Sequence, residues 1–242
     1  RTRVASVTNL ARGDLGAAFD LVVLGQVLSE LSPDAGPDER AAEHAELAAR
    51  LVGSIAPGGA VVIVEPALRD RTRHLHAVRD RLLELGRARV YAPCLHAERC
   101  PARMTSEDWC HEDLPVDLPP WLVPLARAAG LRWQGLTFSY LVLGNDARSL
   151  APPRAESRVH LRTISELLPS KGKTEVWTCD ENGVRRRIRR LDRDRGAERG
   201  VPFDDLRRGD VVTLSAGAPP IDESGRVAKD VEIAVGVGSP TR

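Results

Sequence analysis

Cysteine, lysine, methionine and aromatic residues are all scarce in this 242-residue chain. It has four cysteines, one methionine, 4% aromatic residues, and only Lys171, Lys173 and Lys229 against a large excess of arginine. We read that excess first as coding bias. No apolar run approaches the roughly 20 residues that span a bilayer, and no signal peptide opens the sequence. Together these absences read as a cytoplasmic, reducing setting without a membrane partner, where the cysteines are thiols or metal ligands rather than disulfides. A formal net charge of +1 gives no whole-molecule field toward nucleic acid, so local charge has to be considered instead. The chain opens on Arg1 and enters a strand-like segment directly, which reads as a fragment of a longer protein.

What is present is patterned. "FDLVVLGQVLSEL" (19–31) holds the apolar run Leu21–Leu24, as expected of a strand buried on both faces of a parallel sheet. Residues 38–55 predict a helix, with Ala48, Leu51, Val52 and Ile55 on one face. "APGG" closes it before the strand "AVVIVEP", and residues 69–89 predict a second helix with Leu75, Val78, Leu82 and Leu85 in its stripe. A short helix at 120–129 precedes "LRWQGLTFSYLVLGN", which reads as two strands or one bent one. This order is that of an α/β doubly wound half.

The predicted organisation is a domain at 1–147 that includes a Cys-rich loop at 91–115, then a small all-β, barrel-like module at 158–215. "DENG" (180–183) reads as the module's hairpin turn, and residues 216–242 as a frayed tail.

The first half resembles the later part of a class I S-adenosylmethionine-dependent methyltransferase, a Rossmann-like fold. "FDLVVLGQVLSEL" looks like its fourth strand and "LVGSIAPGGAVVIVEP" like the helix, turn and fifth strand that follow. In open α/β sheets ligands bind outside the carboxyl ends of the strands. The resemblance therefore implies S-adenosylmethionine near Gly25 and Gln26, with Asn9 standing where the family often has an adenine-contacting acid. The family's glycine-rich first loop and ribose-binding acid fall before Arg1, and no residue stands out as catalytic.

Three of the four cysteines fall within "APCLHAERCPARMTSEDWCHEDLP": Cys94, Cys100 and Cys110, with Cys179 far downstream. Zinc fingers and ribbons use tighter cysteine pairs. Loose spacing on an irregular loop, with a distant fourth thiolate, suits a [4Fe–4S] cluster, and Cys100 is followed at once by Pro101. Zinc stays open as the alternative, with His96 and His111 able to substitute as ligands, and so does a plain role as small buried side chains.

The segment "YAPCLHAERCP…DWCHEDLP" is similar to the signature of the mitochondrial small-ribosomal-subunit assembly methyltransferase-like family and its bacterial relatives. The resemblance, over about residues 19–215, implies a [4Fe–4S] cluster on Cys94, Cys100, Cys110 and Cys179. It also implies a role in ribosome assembly or translation, with the small subunit and its rRNA as partners. Departures are Leu95, Glu112, Gln26 and Ser29, where the family often has Pro, an aromatic, Tyr and Asn. The last two bear on methyl transfer, so a non-catalytic rRNA-binding assembly factor stands beside the enzyme reading.

In "SKGKTEVWTCDENGVRRRIRRL" a strand would project Arg185, Arg187 and Arg189 from one face, with Lys171 and Lys173 before the strand pairing with it. Such a row suits RNA phosphates, and a solvated, charge-protected edge strand is the plainer reading. Cys179, joining the first three thiols, would then staple the β module to the methyltransferase-like domain.

Overall fold

The computed structural model describes residues 18–131, 134–151, 153, 157–216 and 219–236, so Asn9 lies outside the described residues. The elements in chain order are β1 (Phe19–Gly25), α1 (Pro37–Ser54), β2 (Ile55–Pro66), α2 (Arg69–Leu85), β3 (Arg89–Ala92), β4 (Glu112–Leu114) and α3 (Val123–Ala128). They continue with β5 (Leu136–Gly144), β6 (Arg158–Thr163), β7 (Leu168–Ser170), β8 (Lys173–Asp180), β9 (Arg185–Leu191), β10 (Arg199–Gly200), β11 (Val211–Ser215) and β12 (Glu232–Val235). The chain divides into two units, one of Arg1–Pro93 with Tyr140–Ser149, the other of Cys94–Ser139 with Leu150–Arg242. The fold is mixed α/β. No helix among the described residues is long and apolar enough to cross a membrane.

Unit one is built around a sheet ordered β1-β2-β5-β3, in which β1 and β2 run parallel and β3 runs antiparallel to β5. Helix α1 starts with Pro37 in its first turn, where a missing N–H costs nothing, and carries Asp38 and Glu39 at its positive end. Its Ala41, Ala45, Ala48, Leu51 and Val52 are buried together with Leu75, Val78 and Leu82 of α2 and Val61 and Ile63 of β2. Helix α2 stops at Gly86, whose φ of 65° is the left-handed cap that glycine adopts without penalty. The "PGG" segment, expected as a turn between helix and strand, lies inside β2, where the register with β1 shifts. Gly58 has φ +79°, and a Cβ at Gly59 would lie 2.8 Å from the Phe19 carbonyl oxygen, so β1 and β2 come together only around a bare backbone.

One expectation is corrected here. Leu21 and Val23 of β1 are 57% and 60% exposed, while Leu24 is buried. In the described sheet β1 is an edge strand, paired only with β2.

Unit two holds a second core of Leu161, Val176, Ile188, Phe203, Leu214, Val227 and Ile233. Its sheet is ordered β10-β12-β11-β6-β8-β7, with β9 on the remaining side of β8. The order is open among the described residues, not the expected barrel. Turn Asp180–Gly183 joins β8 to β9 as the sequence predicts, with Gly183 donating to the Asp180 carbonyl at 3.1 Å and φ +74°. The expected tail instead supplies β12, which pairs with both β10 and β11, because Val231 and Ile233 are core residues.

Charge is also interior. Arg190, fully buried, donates to the carbonyls of Asp194, Ala228 and Lys229 and to Glu198 at 2.5–2.8 Å. Four acceptors on one guanidinium fix the chain after β9, so this arginine is unavailable to any ligand.

In unit one, His44 of α1 and His74 of α2 meet with ring nitrogens 2.8 Å apart and rings edge to face. Burial, then the charges of His44, Arg40 and Arg71, lower His74 from 6.5 to about 4, and burial followed by Arg40 also lowers His44. The folded state thus binds fewer protons than the unfolded one between these values. The resulting stability is fully present above about pH 6.5 and is lost as the pH falls toward about 4. Urea unfolding followed across that window should show the decline, and His74→Gln should make the curve shallower. An unchanged slope in the variant would contradict it.

Candidate metal centre

All four cysteines lie in unit two, which changes the expected geometry of the staple. The loop carrying three of them belongs with the β module rather than with unit one, so a shared metal would tie loop to sheet within one body. Sequence cannot reveal this, because the loop's partners are distant along the chain.

Cys100 is buried and caps a 3-10 turn, Pro101–Arg103, in which Arg103 donates back to the Cys100 carbonyl. Pro101 fits there because the first residue of such a turn needs no N–H. Cys94 and Cys110 are half-buried, with Leu95 buried between the first pair and β4 following the third. Cys179 stands on β8, its sulfur 3.4 Å from Nε2 of His96. No disulfide joins the thiols.

The sulfurs feel one another. Burial pushes the Cys110 thiol up to about 12; the Glu112 carboxylate adds to this, Arg162 opposes it, and Cys94 and Cys100 add further. Cys179 is likewise pushed up, by burial first and then by Cys94, Cys110 and Cys100. Among the described residues no group of three or more His, Cys, Asp or Glu side chains is already gathered to hold a metal ion. The donor set nonetheless fits a metal in identity and number. Cys110 and Cys179, each near the other cysteines, resist ionisation while alone, and a coordinating cation removes that resistance by displacing the protons.

The hairpin turn backs this loop. A Cβ on Gly183 would lie 2.9 Å from Cβ of Glu98 and 3.1 Å from Nδ1 of His96. Asp108, two residues before Cys110, pairs with Arg185 at 2.6 Å. Trp109 stacks on His111, whose imidazole is held low by burial and by Arg208, which donates to the His111 carbonyl.

The cationic residues alternate as expected but are not equivalent. Arg185 and Arg187 both lie over the indole of Trp177, at 5.2 and 5.6 Å. Arg185 is committed to Asp108 with 19% of its side chain exposed, whereas Arg187, 50% exposed, has Glu175 at 3.5 Å. Lys173 shares Glu175 at 3.0 Å, Arg189 donates to Ser224 at 2.8 Å, and Lys171 is exposed.

Residues 1–191 match the family described as mitochondrial small ribosomal subunit Rsm22. The chain belongs to that family. No curated protein matches it. The Rsm22 match takes in all four cysteines and ends at Leu191, the last residue of β9, so β10, β11 and β12 fall beyond it. Membership makes this a protein related to the small ribosomal subunit.

The remaining expected site residues, Gly25 and Gln26, lie in unit one at the carboxyl end of β1. Gln26 has φ +57°, uncommon for a residue with a side chain, and its N–H donates to Val64 at 2.8 Å. Beside that turn the buried Glu65 accepts from Leu28 at 2.9 Å, and burial pushes its carboxyl up. Sequence reasoning missed Arg162, Trp177 and Gly183 as parts of the centre. For Arg162 there was a signal, a lone cation within the otherwise strand-like "VHLRTI".

The loop contact yields a test. Gly183→Ala and Gly196→Ala both place a side chain at φ +74°, but only Gly183 has neighbours within 4 Å. Each should lose about 1–2 kcal/mol from the left-handed backbone. Chemical denaturation should show Gly183→Ala losing more than Gly196→Ala, and equal losses would mean that the loop does not rest on the turn.

Proposed function

We propose that this chain is part of a small-ribosomal-subunit protein in which a four-cysteine metal centre holds a cationic β hairpin for contact with ribosomal RNA. The observation that carries the reading is the placement of Cys179 and the arginine row on one hairpin. Cys179 is the register partner of Arg185, and Trp177 that of Arg187. Since side chains alternate along a strand, Cys179, Trp177, Arg185 and Arg187 share one face, while Val176 and Ile188 point to the core on the other. Fixing the sulfur therefore fixes the cationic face.

Cys94, Cys100, Cys110 and Cys179 would hold a [4Fe–4S] cluster, with zinc as the alternative occupant of the same ligands. The centre's chemistry in this reading is architectural. The thiols are stabilised as thiolates, and the loop is held against the turn.

A second reading, binding of S-adenosylmethionine by unit one, is favoured by the strained Gln26 at a strand's carboxyl end, where ligands of open α/β sheets bind. The cofactor would supply an electrophilic methyl group; Gly25 and Gln26 would face it. Calorimetric titration with S-adenosylmethionine should give saturable heat that Gln26→Ala weakens, and a wild-type chain giving no heat would remove this reading.

For RNA, Arg187 and Lys171 are the informative positions, since Arg185 is already paired and Arg190 is interior. Each replacement by Ala should weaken binding to small-subunit rRNA fragments and lower the slope of log affinity against log salt by about 1. Unchanged affinity and slope would return the row to a solvated strand edge.

A further inference from the structure

Arg162 is 3% exposed and lies in β6 between Leu161 and Thr163, which are 0% and 1% exposed. Removing a guanidinium from water is costly, and the carboxylate of Glu112 answers it by an ion pair. An ion pair of purely structural use could stand anywhere in the core. This one has each member next to a different segment of the cysteine centre. Arg162 is the register partner of Cys179 across β6 and β8. Glu112 is two residues beyond Cys110, at the start of β4.

The two charges lie beside the centre with opposite signs: the guanidinium, in register with Cys179, attracts a thiolate, and the Glu112 carboxylate, two residues after Cys110, repels one. A centre of four thiolates stays net negative whether it holds zinc or a [4Fe–4S] core, and Asp180, beside Cys179, adds to that charge. Arg186 answers Asp180 at 3.2 Å and Arg185, the register partner of Cys179 on β9, answers Asp108 at 2.6 Å, while Arg162, the partner of Cys179 on β6, is the most deeply buried of these cations at 3% exposed. Arginine suits the position because it keeps its charge in an interior where lysine gives up its proton.

We infer that Arg162 is a positioning and charge-compensating residue for the four-thiolate centre, and that Glu112 restrains it, so that the pair sets how firmly the metal is held. The inference rests on the metal-centre reading above. The test uses the full chain purified anaerobically and follows release of bound iron or zinc to a coloured chelator, with folding checked by circular dichroism. Partners of this kind alter metal affinity by roughly 10- to 100-fold.

Arg162→Gln should therefore release metal at least about tenfold faster. Arg162→Lys should fall between it and wild type. Glu112→Gln removes the Glu112 charge from beside the guanidinium and should release metal more slowly than wild type. If the centre holds iron, its reduction midpoint should move down in Arg162→Gln and up in Glu112→Gln. Equal acceleration in Arg162→Gln and Glu112→Gln would show a merely structural ion pair and overturn the inference, as would no change in either. If Arg162→Gln does not fold, Arg162→Lys and Glu112→Gln still carry the opposite signs. Wild-type chain without iron or zinc would overturn the metal reading itself, a distinguishable result.

Discussion

The antiparallel ladder between β8 and β9 is the interaction on which unit two depends. It pairs Lys173–Cys179 with Leu191–Arg185 in continuous register, while β6 and β7 occupy the opposite side of β8. A shift by one residue would turn Val176 and Ile188 outward and drive Trp177 and Cys179 into the core. With the register fixed, one face of the ladder closes the hydrophobic core and the other meets the cysteine loop. The arginine row, Cys179 and Arg162 take their places from that single constraint.

Electrostatics then decides what the outer face can do. An excess of arginine looks like composition, yet Arg79, Arg162 and Arg190 are interior, and each has a carboxylate partner. On the hairpin, Arg185 is spent on Asp108 of the loop, so the loop covers one end of the cationic row while leaving Arg187 and Lys171 outward. The cation face and the cysteine centre are therefore one construction. Altering the loop changes which cations reach solvent.

Much of unit one was legible because its periods are long. Helices α1 and α2 and strands β1 and β2 fall where the apolar spacing puts them, and Gly86 marks the end of α2, whereas "PGG" lies inside β2 rather than ahead of it. Strands β3 and β4, of four and three residues, are too short to show a period, and they exist because β5 offers an edge. The strand Glu232–Val235 was hidden by the glycine and charge around it and is held by β11 across the sheet. Barrel closure was expected from strand count alone, which says nothing of register. At the site, cysteine identity was readable, and so was the alternation of Arg185, Arg187 and Arg189. The pairing of Arg162 with Glu112, and the assignment of the loop to unit two, come from long-range contacts that no local pattern encodes.

The central claim is that thiols from a loop and from β8 share one metal. Metal-to-protein ratios of anaerobically purified wild type and Cys179→Ser test it most directly. Wild type should carry about four irons per chain if the occupant is a [4Fe–4S] cluster, or about one zinc. Cys179→Ser should lose most of that metal although its other three cysteines, Cys94, Cys100 and Cys110, are intact. A Cys179→Ser chain that keeps the wild-type ratio, or a wild-type chain that holds neither metal, would contradict the account.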